Sequence, residues 1–127
     1  MALVLNHLRR AADSLARALE QPLDEFTRDA VILRFEYTFD LSWKMMRRCL
    51  IQELGLSDAQ GASRRDLFRL AAKEGLIDDP DAWFQFQEDR NRTAHVYSEN
   101  TAKDVYASAV QFLPQCQSLI EKLGNYA

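Results

Sequence analysis

The chain contains little cysteine, glycine or proline, and this scarcity excludes several classes of small protein. Among 127 residues there are two Cys, four Gly and three Pro, far fewer than a disulfide scaffold or a low-complexity linker would show. Cys49 and Cys116 stand alone, without the ligand spacing of a zinc site. We therefore expect two buried free thiols in a reducing compartment, with no disulfide, no metal site and no tightly held organic cofactor.

The sequence also lacks an excess of positive charge. Its 16 Lys and Arg residues are outnumbered by 19 Asp and Glu residues, which gives a formal net charge of -3. Such a balance argues against binding of long duplex DNA through a broad basic face. A local basic cleft is compatible with this balance of charge. Only four of the 16 cations are lysines, so anion contacts would come mostly from the planar, bidentate arginine fork.

Long hydrophobic runs and period-two alternation are absent as well. The N-terminal residues 1–5 are followed at once by Asn6, His7, Arg9 and Arg10, which excludes a signal peptide or a membrane span in this segment. We expect a cytoplasmic protein. No stretch alternates in the manner of a strand and no internal repeat is visible, so a β-sheet is not predicted.

Apolar residues instead recur at steps of three and four, the spacing of amphipathic helices. The first predicted helix runs from Leu5 to Glu20 and is stopped by Pro22. A long second helix begins at the cap Asp24 and runs to Gly55. With 47% hydrophobic residues, the length suits one domain over residues 1–127.

Capping signals divide the second half of the chain into three more helices. Ser63 opens a third helix that Gly75 ends, and Asp79 followed by proline opens a fourth. Thr101 is the predicted cap of the last helix. The fold is therefore expected to be all-α, an up-and-down bundle of four to five helices. Aromatic residues at helical spacing in the second helix are expected in the core or a dimer interface: Phe35, Tyr37, Phe39 and Trp43.

The segment from Arg90 to Tyr97 carries the most chemical information. It holds an arginine, whose donors fit phosphate oxygens, and His95, whose imidazole exchanges protons near neutrality. Together these groups suit phosphodiester chemistry without a metal. The alternative is structural, because Arg and His also stabilise the C-terminus of a helix through its dipole.

Helical geometry places a condition on the catalytic interpretation. Residues five apart lie about 140° apart around a helix axis, so Arg90 and His95 would not share a face. Arg90 would instead lie with Trp83, Phe86 and Tyr97 on an inward or interface stripe. For Arg90 and His95 to act on one substrate, the helix must loosen near His95 or a second subunit must complete the site.

Two separated motifs resemble a known family. They are residues 28–44 (RDAVILRFEYTFDLSWK) and, later in the chain, residues 89–91 (DRN) with residues 95–97 (HVY). The chain is similar over residues 5–123 to the nucleotidyltransferase substrate-binding protein family, a HEPN superfamily branch that also contains the HepT toxins. The resemblance implies a homodimeric, HEPN-like helical bundle that assembles with a cognate small nucleotidyltransferase.

The resemblance also implies roles for individual residues. In HepT-like members the motif forms a metal-independent endoribonuclease site at the dimer cleft, with Arg90 stabilising charge on the phosphate, His95 moving protons, and Asn91 orienting the phosphate. The expected product is a 2′,3′-cyclic phosphate. Tyr97 is the implied site of adenylylation by the nucleotidyltransferase, which would silence the ribonuclease; the alternative is an interface aromatic.

Three functions therefore follow as hypotheses. The first is the ribonuclease toxin of a toxin–antitoxin pair, with RNA as ligand. The second is a non-catalytic subunit that binds a nucleotide or presents a substrate to the nucleotidyltransferase, with Arg90 as a phosphate clamp. The third is a scaffold in which the same residues only hold a dimer together.

Overall fold

The structure is a computed structural model that describes residues 3–127, in which five α-helices and three short 3-10 turns account for the regular structure. The helices are α1 (Asn6–Leu19), α2 (Glu25–Gln52), α3 (Arg64–Lys73), α4 (Pro80–Asn91) and α5 (Glu99–Leu123). The described residues contain no strand. The all-α prediction is confirmed. The expectation for residues 1–5 falls partly on Met1 and Ala2, which lie outside the described residues.

The helix starts follow the capping residues in three of the five cases. The side chain of Asp24 accepts a hydrogen bond from the Thr27 amide at 2.7 Å, and Ser63 accepts one from Asp66 at 3.2 Å. Asp79 accepts from the amides of Asp81 and Ala82, with Pro80 at the first helical position. These contacts satisfy amides that have no partner inside a helix, which is why the predicted starts are confirmed.

The predicted start of the last helix is wrong. α5 begins at Glu99, after Ser98, rather than after Thr101, and Ser98 makes no side-chain cap. Thr101 lies inside the first turn. The helix gains its first turn because Arg28 of α2 donates two hydrogen bonds to Glu99, at 2.8 and 2.9 Å. This tertiary contact is not visible in the local sequence pattern.

α2 is the central helix and contacts all four others. Its buried Phe35 and Phe39 pack into an aromatic cluster with Trp83 and Phe86 of α4 and Phe112 of α5, mostly edge to face at centroid distances between 5.3 and 6.2 Å. Such aromatic pairs prefer tilted or edge-on geometry. The cluster fixes α4 against α2, and so it positions the end of α4 relative to α2.

Both cysteines are free and buried, as expected. Burial raises the pKa of the Cys49 thiol to about 11 and that of Cys116 to about 12. A thiol with a raised pKa is a poor nucleophile at neutral pH. Across residues 3–127, none of the helices has the length and hydropathy needed to cross a membrane.

Candidate functional site

The helix that carries Arg90 changes its geometry just before His95. α4 ends at Asn91, and residues Arg92–His95 continue as a tighter 3-10 turn. Thr93 holds this change in place, because its hydroxyl donates to the Arg90 carbonyl oxygen at 2.9 Å. The α-helical geometry therefore ends before His95, but this change does not join His95 to Arg90 by a hydrogen bond within the described residues.

Arg92 ties the same turn to two helices. Its guanidinium donates to Asp89 of α4 at 3.3 Å and to Asp104 of α5 at 3.0 Å. Asp89 is buried, and it also accepts a hydrogen bond from Gln85 at 3.2 Å. A buried carboxylate requires such partners, because desolvation would otherwise oppose its ionised form. The position of the turn thus depends on this network.

The Arg90 side chain points toward α2, where it contacts the carboxylates of Asp40 and Glu36. Its Nε and Nη2 donate to the two Asp40 oxygens, both at 3.0 Å, and Nη1 lies 3.8 Å from a Glu36 oxygen. Asp40 and Glu36 are four residues apart and lie on one face of α2. The hydrogen bonds with Asp40 raise the pKa of the Arg90 guanidinium, although burial opposes this rise. Arg90 is therefore a fixed cation with a defined orientation.

The fixed orientation leaves one edge of the guanidinium less occupied. Nη1 is 3.4 Å from the Thr93 hydroxyl and, as noted, 3.8 Å from Glu36. Thr93 and Glu36 line a groove of about 610 Å³ that runs between α2 and the residues around the turn. The bidentate pair with Asp40 thus aims the remaining donor of Arg90 at the edge of this groove.

His95 and Tyr97 lie on the outside of the turn. Tyr97 is 84% exposed, and its ring meets the His95 ring edge to face, at a centroid distance of 6.0 Å. Neither side chain makes a hydrogen bond to another residue within 3–127. Tyr97 does not continue the buried stripe of Trp83 and Phe86, because the helix ends before it and its side chain is exposed. The alternative, that Tyr97 lies in an interface, stays a prediction.

The structure thus forms two pairs from the predicted site residues. Arg90 is joined to Asp40 and Glu36, and His95 is joined to Tyr97, with no direct bond between Arg90 and His95. Asn91 is exposed at the end of α4, where its carbonyl oxygen accepts from Gln87 at 3.1 Å. No other side chain holds Asn91 in place within the described residues.

The groove itself is acidic. It is lined by four carboxylates and one cation, Arg28, together with apolar and hydroxyl side chains: Glu25, Asp29, Glu36, Glu99, Ile32, Leu33, Thr93, Val96 and Tyr97. Arg28 is already engaged by Glu99 at 2.8 Å and by Asp29 at 3.5 Å. A phosphate would therefore meet repulsion in the groove and attraction only at its edge, near Arg90.

Sequence reasoning missed Asp40 and Glu36. The available signal was a pair of carboxylates one turn apart in a helix that is otherwise rich in large apolar residues. No cluster of three or more His, Cys, Asp or Glu side chains suited to a metal ion occurs in residues 3–127. The two carboxylates near Arg90, Asp40 and Glu36, form ion pairs with its guanidinium.

The fold and the site define an all-helical bundle with an arginine, histidine and tyrosine gathered at one helix end. A family model described as "nucleotidyltransferase substrate binding protein like" matches residues 3–125. The chain belongs to this family, as the two motifs predicted.

Relatives and solved structures agree with this assignment. A Haemophilus influenzae protein named "Probable ribonuclease HepT" is 39% identical over 93 residues, which is 72% of this chain and 64% of that relative. The chain therefore spans less than two thirds of the length of this curated relative. The solved structure of an H. influenzae protein, described as revealing the fold of a substrate binding domain of a nucleotidyltransferase, has a TM-score of 0.86 and 32% identity, with coverage of 94% of this chain and 98% of the other. A Thermus thermophilus structure has a TM-score of 0.82 and 28% identity, covering 91% and 98%.

Proposed function

We propose that this chain is the partner subunit of a small nucleotidyltransferase and acts as a metal-independent endoribonuclease, the toxin of a toxin–antitoxin pair. The observation that carries the proposal is the arrangement at the end of α4. Asp40 fixes Arg90 so that its Nη1 edge has only longer contacts, with Thr93 and Glu36, and the turn that follows presents His95 and Tyr97 to solvent. A preorganised cation and an accessible imidazole on the adjoining turn supply the two functions that RNA cleavage needs.

The proposed reaction uses a nucleophile from the substrate. The ribose 2′-oxygen attacks the adjacent phosphorus, the bond from phosphorus to the 5′-oxygen breaks, and the products are a 2′,3′-cyclic phosphate and a 5′-hydroxyl end. His95 accepts the proton of the 2′-hydroxyl or donates one to the departing 5′-oxygen. Arg90 stabilises the charge that develops on the phosphate, and Asn91 orients it.

Because no hydrogen bond joins Arg90 to His95 within the described residues, we propose that a homodimer completes the site. Two exposed apolar side chains on one face of α2 support self-association: Phe26 and Leu33, of which Leu33 also lines the groove. Exposed apolar surface of this kind is typical of an interface. A second copy that covered this surface would also bring its own turn close to the first.

The partner nucleotidyltransferase would control the activity through Tyr97. We propose that the Tyr97 oxygen attacks the α-phosphate of ATP, which forms a tyrosine–phosphate bond, breaks the α–β linkage and releases pyrophosphate and the phenolic proton. Because the Tyr97 ring contacts His95, an attached AMP would block the imidazole and add negative charge. Family membership and the absence of a membrane-spanning helix in residues 3–127 are compatible with a cytoplasmic pair.

Cleavage of RNA in the presence of EDTA tests the proposal. Purified unmodified protein is incubated with total RNA, and the new ends are examined for 2′,3′-cyclic phosphate. We expect wild-type protein to cleave and His95→Ala to lose at least about a hundredfold in rate, the usual contribution of general acid–base catalysis. Lys73→Ala is the control, because Lys73 is an exposed cation at the end of α3 and lies outside the groove.

Two outcomes would contradict the ribonuclease proposal. One is cleavage that persists in both His95→Ala and Arg90→Ala, since a contaminating enzyme would then be responsible. The other is a folded, unmodified wild type that does not cleave.

A second candidate is favoured by the pairing of Arg90 with two acids. Because Asp40 and Glu36 already pair with the Arg90 guanidinium, fewer of its donors are left to stabilise a transition state. In a non-catalytic subunit, the same guanidinium would bind a phosphate at the edge of a nucleotide site. Calorimetric titration with ATP distinguishes this candidate. Binding that is lost in Arg90→Ala, without RNA cleavage by the wild type, would favour it.

A further inference from the structure

A cluster of cations lies beyond the Arg90 site, on the C-terminal half of α2 and the start of α3. We call Lys44, Arg47, Arg48 and Arg64 the basic strip. Within residues 3–127, none of these four side chains forms an ion pair with a carboxylate. This local excess stands out in a chain whose net charge is -3. Unpaired cations held close together favour an anionic ligand.

The half-buried Trp43 organises the strip. Arg64 stacks on its ring, with the guanidinium carbon 3.1 Å from the ring centroid, and Arg47 and the Lys44 ammonium lie at 5.2 and 5.6 Å. Arg47 also donates to the Ala62 carbonyl oxygen at 2.7 Å. Cation–π contacts of this kind fix the orientation of long side chains. The strip is therefore preorganised, and less conformational entropy is lost when a ligand binds.

The like charges in the strip are close enough to affect each other. Burial lowers the pKa of Arg64, and the positive charge of Arg47 lowers it further. The Nε donors of Arg47 and Arg64 are buried and have no hydrogen-bond partner among residues 3–127. An anion bound to the strip would relieve the repulsion between these guanidinium groups, which gives a specific physical reason for a phosphate ligand.

Two neighbouring grooves give the strip room for a chain of phosphates. One, of about 270 Å³, is lined by Lys44, Arg47, Arg48 and Trp43, together with Ile51 and glutamines, and no carboxylate lines it. The other, of about 500 Å³, is lined by Lys44, Arg10 and Asp40, among others. Lys44 lines both grooves, so they adjoin at this side chain.

The strip also continues directly from Arg90. Asp40, which binds Arg90, is one helical turn before Lys44 and two before Arg48, a distance of about 12 Å along the axis. Positive charge on this face therefore begins next to the Asp40–Arg90 pair and extends away from the acidic groove. When a flexible polyanion binds to the strip, one of its phosphates would therefore lie close to Arg90.

From this geometry we infer that the basic strip binds single-stranded RNA and delivers it to the Arg90 site. Delivery of RNA to the Arg90 site rests on the proposed ribonuclease function. Binding of RNA to the strip can be measured without cleavage. Arginine clusters beside aromatic side chains are typical of sequence-tolerant binding to single strands. The strip is also too small for long duplex DNA, which needs a broad basic face.

The test uses a fluorescent oligonucleotide of about 12 nucleotides, within the usual site size, made of 2′-O-methyl RNA so that the cleaving nucleophile is absent. Fluorescence anisotropy gives the affinity of the full chain over a series of salt concentrations. The test variant is Lys44→Ala with Arg48→Ala, because both side chains are exposed, whereas Arg47 and Arg64 are half-buried beside Trp43 and contribute to packing. Arg17→Ala with Lys73→Ala is the control, since it removes one arginine and one lysine that are exposed elsewhere.

We expect the test variant to bind at least about fivefold more weakly, with the slope of log K against log salt reduced by about 1.4, since each contact with a single strand contributes about 0.7. The control should match wild type. A test variant that binds like the control would overturn the inference. So would a test variant that loses only its affinity for the nucleotidyltransferase, because the strip would then be a protein-docking surface.

Failure of the strip and failure of the ribonuclease proposal are distinguishable. Loss of RNA binding in the test variant, from a wild type that binds but does not cleave in EDTA, would support the strip and contradict the ribonuclease. Cleavage by wild type, with RNA binding by the test variant unchanged, would support the ribonuclease proposal and contradict the role of the basic strip.

Discussion

At the scale of single residues, the site depends on what each side chain is already bonded to. Arg90 is half-buried and held by Asp40, so its position is set before any ligand arrives. Tyr97 differs, because it is exposed and makes no hydrogen bond within residues 3–127. Tyr37 provides a contrast, since it is 37% exposed and its hydroxyl is bonded to Ser14. A modifying enzyme would therefore find Tyr97 far more accessible.

Tyr97 is the predicted site of adenylylation. Incubation with the cognate nucleotidyltransferase and Mg-ATP should raise the intact mass of the protein by whole AMP units and abolish RNA cleavage, because the added phosphate repels substrate and covers His95. Tyr97→Phe should show no increase in mass, whereas Tyr37→Phe should be modified like wild type. An unchanged mass increase in Tyr97→Phe would place the modification elsewhere.

At the scale of elements, the 3-10 turn Arg92–His95 depends on a buried charge. Arg92 and Arg69 each pair with an aspartate three residues earlier, and both pairs measure 3.3 Å. The two aspartates differ in exposure, because the Asp89 side chain is 7% exposed and the Asp66 side chain 67%. Removal of the cation should matter only where the carboxylate cannot be solvated instead.

Arg92→Gln should therefore destabilise the protein more than Arg69→Gln. Without Arg92, the buried Asp89 keeps only its contact with Gln85, and the free energy of unfolding should fall. Arg69→Gln should remain within about 0.5 kcal/mol of wild type, as is usual for exposed ion pairs. Urea unfolding followed by circular dichroism measures both. Equal midpoints for the two variants would mean that the Arg92 network does not support the turn.

The start of a helix could be predicted from the sequence where a nearby side chain caps it. The site could be predicted only in part. Asp24, Ser63 and Asp79 mark helix starts by bonds to amides two or three residues away, which a local pattern contains. The partner of Arg90 is 50 residues distant in sequence, and only the packing of α4 on α2 reveals it. The start of α5 was missed for the same reason, because Glu99 is held by Arg28.

At the scale of the whole molecule, one face of α2 exposes apolar side chains in its N-terminal half and basic side chains in its C-terminal half. Phe26 and Leu33 are exposed in the N-terminal half, and Lys44 and Arg48 are exposed in the C-terminal half. Residues near a two-fold axis contact their own copies, so an apolar half can pair with itself, whereas a basic half would repel itself. Self-association centred on the apolar half would leave the basic strip uncovered for RNA.

A complementation experiment decides whether two subunits share one site. Arg90→Ala and His95→Ala are each inactive under the proposal, and either protein alone should show no cleavage. If Arg90 of one subunit acts with His95 of the other, an equal mixture after subunit exchange should recover about a quarter of wild-type activity, because half of the dimers are mixed and each retains one intact site. Cleavage is measured in EDTA, and mixed dimers are verified by native mass spectrometry. Mixed dimers without any recovered activity would show that both residues act within one subunit, which would require the turn to bring His95 to its own Arg90.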